Sequence, residues 1–152
     1  MIIGIISGYF NPIHIGHIEY INAAASQCES LIAIVNNDVQ VTVKGTIPFQ
    51  DEYERHTILS SIKGVTGVVV SHDYDSTVCQ TIKHIKSEYP DNELIFFNSG
   101  DRIGNNVNTA EKVICNELGI KYVTIDLPKV CSSRELINNG AVEVFRKLVS
   151  KI

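Results

Sequence analysis

Two histidines, His14 and His17, stand either side of a glycine in the string GYFNPIHIGH, which runs from Gly8 to His17. Imidazoles so placed can each donate a hydrogen bond to a phosphoryl oxygen, more strongly as negative charge builds in a transition state. Gly8 and Gly16 allow the backbone to come close to a ligand. The string follows an apolar run and precedes a helical pattern. A helix beginning near Gly16 would aim free N–H groups and the positive end of its dipole at an anion. The chemistry that suits this set is the gripping of phosphate. His-x-x-His spacing alone fits surface or half-buried polar residues as well, and a metal pair would need further ligands.

The elements that must hold such a loop are legible in the hydrophobic pattern. IIGIIS (residues 2–7), SLIAIV (30–35), GVVV (67–70), ELIFFN (93–98) and KYVTID (121–126) read as strands. Most are apolar on successive residues, as parallel strands covered on both faces require. Between them Ile18, Ile21 and Ala25, then Ile58, Leu59 and Ile62, then Val78, Ile82 and Ile85 recur at helical spacing. Asp51 with Glu54, and Ser132 with Glu135, have the spacing of capping boxes. The alternation predicts one α/β domain over residues 1–152, an open, doubly wound parallel sheet of about five strands with flanking helices. Such sheets bind ligands beyond the carboxyl ends of their strands, where the strand order reverses. That selects the loops after strands one, two and four and the last loop, 127–133. The stretches 36–50 and 99–109 read as polar loops, and Lys44 lies in the first of them.

Composition narrows the class. Hydrophobic residues make up 44% and charged ones 20% of 152 residues, as in a folded domain rather than a disordered one. A net charge of -4 argues against a nucleic-acid-binding surface. The apolar start MIIGIIS lacks a basic segment and stops at Gly8, too short for a signal peptide or membrane span, so a soluble cytoplasmic protein is expected. Cys28, Cys79, Cys115 and Cys131 form no C-x-x-C pair and read as reduced, mostly buried thiols. Cys131 has no evident base partner that would make it a nucleophile. His56, His72 and His84 read as residues of exposed helix or loop faces.

GYFNPIHIGH resembles the signature of the nucleotidyltransferase superfamily, G-x-F-x-x-x-H-x-G-H, which Gly8, Phe10, His14, Gly16 and His17 fit. Within it the chain most resembles the small, Rossmann-like cytidylyltransferases, especially the glycerol-3-phosphate type, nearly end to end. The resemblance implies attack by a phosphorylated alcohol, amino alcohol or sugar on the α-phosphorus of CTP, releasing pyrophosphate with no covalent enzyme intermediate. Mg²⁺ would be carried mainly by the nucleotide phosphates, with no dedicated protein ligands. ATP as donor, to a sugar phosphate or cofactor precursor, is the alternative. A non-catalytic nucleotide-binding module is the alternative of another class. A homodimer is implied as well, with no nucleic-acid or membrane partner.

The resemblance also assigns residues. His14, His17 and Lys44 would contact the triphosphate and stabilise the reacting phosphorus, with Tyr9, Phe10, Asn11 and Gly16 binding nucleotide around them. Asp101 would meet base or ribose, with Arg102 standing where a second acid is usual. Lys129 takes roughly the place of an arginine, and Ser132 and Ser133 would form a second cradle for the β- and γ-phosphates. Arg55 falls in an E-x-R-like segment, as a ligand or as a helix-face ion-pair residue. Lys63 stands where an arginine is usual and Thr66 where an aspartate is. Thr77 replaces a substrate-contacting lysine, which counts against glycerol phosphate and leaves the acceptor open.

Overall fold

Ile5 and Ile6 are adjacent in sequence and both fully buried, because the first strand is covered on its two faces. The computed structural model describes residues 1–99, 110–127 and 146–151. Its elements are β1 (Ile2–Gly8), α1 (Ile15–Ala25), β2 (Ser30–Val35), α2 (Asp38–Val43), α3 (Glu52–Ser60), β3 (Gly67–Val70), α4 (Cys79–Glu88), β4 (Glu93–Ser99), α5 (Ala110–Leu118) and β5 (Lys121–Ile125). The strands form one parallel sheet in the order β3-β2-β1-β4-β5. The order reverses between β1 and β4, the arrangement expected from the alternating pattern.

Strand residues alternate between two apolar clusters. Ile6, Leu31, Ala33 and Phe97 join Tyr20, Ile21 and Ala24 of α1 and Leu59 of α3 on one face. Ile3, Ile5, Ile34 and Phe96 join Ile82 and Ile85 of α4 and Ile114 of α5 on the other. Each fully buried isoleucine or phenylalanine contributes roughly 1.5–3 kcal/mol. Close packing also explains Gly4: a Cβ there would stand 2.7 Å from Cys28 Sγ and 2.9 Å from the Phe97 ring. No helix among the described residues is long and apolar enough to cross a membrane.

One expectation changes. Residues 36–50 are not simply a polar loop, for α2 lies within them. Asn37 caps it by accepting the Gln40 N–H, and the Gln40 side chain accepts the Asn37 N–H in return. Gln40 and Val41 are fully buried, which supplies what so short a helix lacks by itself. Asp51 caps α3 as its spacing suggested, accepting the Glu54 N–H at 2.8 Å. The Ser132–Glu135 pair lies outside the described residues.

Candidate active site at the carboxyl edge of the sheet

The histidine loop joins β1 to α1 at the carboxyl edge, and the histidines themselves start the helix. His14 is the N-cap in extended backbone, and its Nδ1 accepts the Gly16 N–H at 3.1 Å. His17 Nδ1 accepts the His14 N–H at 3.1 Å, closing a reciprocal capping box. The two rings stack with centroids 3.8 Å apart at 26°. A nitrogen that accepts an amide proton carries none of its own, so this bonding assigns the proton of each neutral ring to Nε2. Both imidazoles therefore present an Nε2–H donor, side by side, at a helix N-terminus whose first turn contains no acidic residue. That is an arrangement for holding anionic oxygens. The Gly16 N–H is committed to His14 rather than offered outward.

Phe10 and Asn11 correct the sequence reading, which placed them against a nucleotide. Phe10 is 1% exposed, at φ +49°, and its ring lies beneath His17 with centroids 4.9 Å apart. A Cβ on Gly8 would come within 3.0 Å of that ring, so the glycine makes room for it. Asn11 is also buried. It donates to the Ile47 carbonyl at 2.8 Å and accepts the N–H groups of Phe49 and Gln50 at 2.7 and 3.2 Å. Both side chains turn inward because the motif must be propped from below.

Arg55 resolves in the same direction. Its guanidinium is enclosed and donates to the carbonyls of Gln50 (2.9 Å), Tyr9 (2.9 Å) and Asn36 (2.5 Å), and to the Asp38 carboxylate at 2.6 Å. The ion-pair reading holds, with Asp38 as the partner, but the guanidinium is buried rather than on an exposed helix face, and it knots the loops after β1 and β2 to the start of α3. The planar fork of arginine suits so many fixed acceptors. Lys44, the C-cap of α2, is exposed and sets its ammonium 4.2 Å from the centre of the half-buried Tyr9 ring. The structure thus brings Lys44 and Tyr9 together beside the histidine loop.

A second network fixes the loop after β3. Asn37 donates to the carbonyls of Ser71 (3.1 Å) and Asp73 (2.7 Å), and Gln40 to those of Asp75 (2.9 Å) and Thr77 (2.7 Å). Val78 has no capping side chain for α4. The buried Asp73 carboxylate does that work from upstream, accepting the N–H groups of Gln80 (2.9 Å) and Thr81 (3.0 Å) and the Thr81 hydroxyl (2.6 Å). Thr77 is held by Asp75, through its N–H and hydroxyl. The sequence reading missed Asn37, Gln40, Asp73 and Thr81. The Asn-x-x-Gln spacing was a signal for the first two, while the remote cap had none.

Lys63 is not brought to the site. It is exposed between α3 and β3, before a strand rather than after one, and therefore lies at the opposite edge of the sheet. Its neighbour Gly64 packs on Ala25, the last residue of α1, a helix roughly 16 Å long that begins at the histidines. Asp101, Arg102, Lys129, Cys131, Ser132 and Ser133 lie outside the described residues. His72 and His84 are exposed and meet edge to face at 5.0 Å, while His56 is half-buried. Burial pushes the Cys115 thiol up to about 12 and raises those of Cys28 and Cys79, so none of these is an activated nucleophile.

The cytidylyltransferase-like family model matches residues 5–139. The bifunctional protein HldE of Mesorhizobium japonicum is 36% identical over 70 residues, 45% of this chain and 14% of that protein. The FAD synthase of Thermoplasma volcanium is 28% identical over 82 residues, 54% of this chain and 56% of that protein. Neither match reaches two thirds of the relative's own length. In fold the chain is similar to the lipopolysaccharide core biosynthesis protein of Thermoplasma volcanium GSS1, with a TM-score of 0.67 at 24% identity, covering 86% of this chain and 99% of that one.

Proposed function

The chain belongs to the cytidylyltransferase-like family, and from that membership we propose that it moves a nucleoside monophosphate from a nucleoside triphosphate onto a small phosphate ester. The observation that carries the proposal is the stacked, mutually capped pair of imidazoles at the start of α1. An oxygen of the acceptor's phosphate attacks the α-phosphorus. A new P–O bond forms while the bond to the β-phosphate oxygen breaks, and pyrophosphate leaves with the electron pair. The Nε2–H groups of His14 and His17 donate to the oxygens on which charge accumulates, so their stabilisation grows along the reaction. Lys44 adds a point charge on a long, movable stem, suited to closing over phosphates. Asp101 on the nucleoside, and Lys129, Ser132 and Ser133 on the outer phosphates, complete the proposed set.

Mg²⁺ is proposed to travel on the nucleotide, where it neutralises phosphate charge. Among the described residues no group of three His, Cys, Asp or Glu side chains is placed to hold a metal ion. The carboxylates at this edge are engaged elsewhere, Asp38 by Arg55 and Asp73 by α4. The homodimer is proposed on resemblance alone.

CTP as donor rests on the resemblance to cytidylyltransferases. ATP is the second reading, favoured by the relative named FAD synthase, since FAD contains an adenylyl group. The test incubates the protein with each triphosphate and a panel of phosphate monoesters and follows pyrophosphate release. Release that depends on one donor and one class of ester identifies both. Nucleotide binding without release from any combination would make the protein a binding module instead.

A further inference from the structure

The sheet loses its pairing near one end, at the point where the strand order reverses. β1 and β4 are paired from Ile2↔Glu93 to Ile5↔Phe96. Beyond that, β1 continues beside β2 as far as Gly8↔Val35, and β4 continues beside β5 as far as Ser99↔Ile125. Residues 6–8 and 97–99 therefore lie beyond the shared ladder, at the topological switch point where doubly wound sheets take ligands in a crevice. Tyr20 reaches this point from α1. The ring is buried in one apolar cluster with Phe10 and Phe97. The hydroxyl donates to the main-chain carbonyl of Phe97, the first residue of β4 beyond the shared ladder. Tyr20 follows His17 by three residues, so the two side chains lie on neighbouring positions of one helix face.

We propose that Tyr20 is a positioning residue: its hydroxyl fastens the departing end of β4 to the helix that carries the imidazoles. It thereby sets the distance between the nucleoside side of the crevice and the phosphate side. The proposal rests on the nucleotidyl-transfer reading, in which the start of α1 meets phosphates while the carboxyl end of β4 faces the nucleoside. A donor nucleotide must satisfy both sides at once, and small errors in such a span are costly because the reacting atoms must meet in register. Without the hydroxyl, a buried carbonyl loses its donor and the strand end is released from the helix.

The test is calorimetric titration of the whole chain, wild type and Tyr20→Phe, with ATP, CTP and inorganic tripolyphosphate. Tripolyphosphate carries the phosphate chain without a nucleoside and so reports only one side of the crevice. Phenylalanine keeps the ring and its packing, so the fold should survive, and thermal melting checks that it does. The expected result is about fivefold to tenfold weaker binding of whichever nucleotide the wild type prefers, a smaller ratio between ATP and CTP, and unchanged tripolyphosphate affinity. Unchanged nucleotide affinity, or equal weakening of all three ligands, would overturn the role of Tyr20 and leave the nucleotidyl-transfer reading intact. Wild-type protein that binds tripolyphosphate and neither nucleotide also overturns it, because no nucleoside side exists to be positioned. Wild-type protein that binds none of the three defeats the nucleotidyl-transfer reading, and this proposal with it.

Discussion

At the carboxyl ends of β1, β2 and β3 the protein buries Asn11, Asn36, Asn37, Gln40, Arg55, Ser71, Asp73 and Thr81. At the amino ends, strand entries are tied by side chains such as Glu29, which accepts the Ile2 N–H at an exposed position, and Thr66, which accepts that of Leu31. Between the two edges the core is apolar on both faces. A buried polar group costs stability unless bonded, and a polar network is favourable only when its members satisfy one another. Nothing in the packing of a five-stranded sheet asks for such a layer on one edge alone. The layer holds three loops in fixed relation there, beside the paired histidines.

The largest effect should come from cutting the knot. Arg55→Met removes a fully buried guanidinium from its pair with the partly exposed Asp38 and strands three carbonyls, and the stranded carbonyls dominate the expected loss of about 3–5 kcal/mol in thermal or denaturant unfolding. Lys63→Met, at the exposed opposite edge, should stay within about 0.5 kcal/mol. Comparable losses in both would erase the distinction between the edges. His17→Ala comes next: turnover should fall about a hundredfold or more while nucleotide affinity falls far less, as measured by pyrophosphate release and direct titration. Equal losses in rate and affinity would make His17 a plain binding group.

Gly4→Ala probes the apolar body instead. Its Cβ would collide with Cys28 and Phe97, and roughly 1–3 kcal/mol should be lost, with turnover per folded molecule unchanged. The narrowest effect is alkaline, absent at neutral pH. Cys115 is held protonated to about 12 in the fold against 9.0 ordinarily. Its contribution is complete below the ordinary value and drains as pH rises through the window to about 12, because the unfolded thiol ionises first. Replacing Cys115 by alanine should remove from the pH profile of unfolding a slope of at most about 1.4 kcal/mol per pH unit in that window.

Most of the architecture was readable because it depends on runs of apolar residues. The five strands appear where those runs lie, with ends shifted by no more than a residue or so. What escaped depends on direction and distance. Phe10 and Asn11 sit inside a string that reads as ligand-binding, yet a left-handed backbone at Phe10 and three main-chain partners at Asn11 send both side chains inward. Arg55 could be read from the sequence as ion pair or ligand, since its carbonyl partners at Tyr9 and Asn36 are remote in the chain. Asp73 caps a helix from seven residues before Gln80, a separation outside any local capping pattern. The histidines stood out in the sequence as a pair suited to phosphate, but not as the caps of their own helix.

That double duty has a consequence for how the chain can change over time. The same two rings fasten the first turn of α1 and are proposed to meet the phosphates. An asparagine at position 14 could close the turn but would bring no imidazole, and an imidazole shifted by one residue would lose the turn. Two requirements that share one solution leave no neutral path between alternatives, so among descendants of this chain these positions should be the slowest to drift.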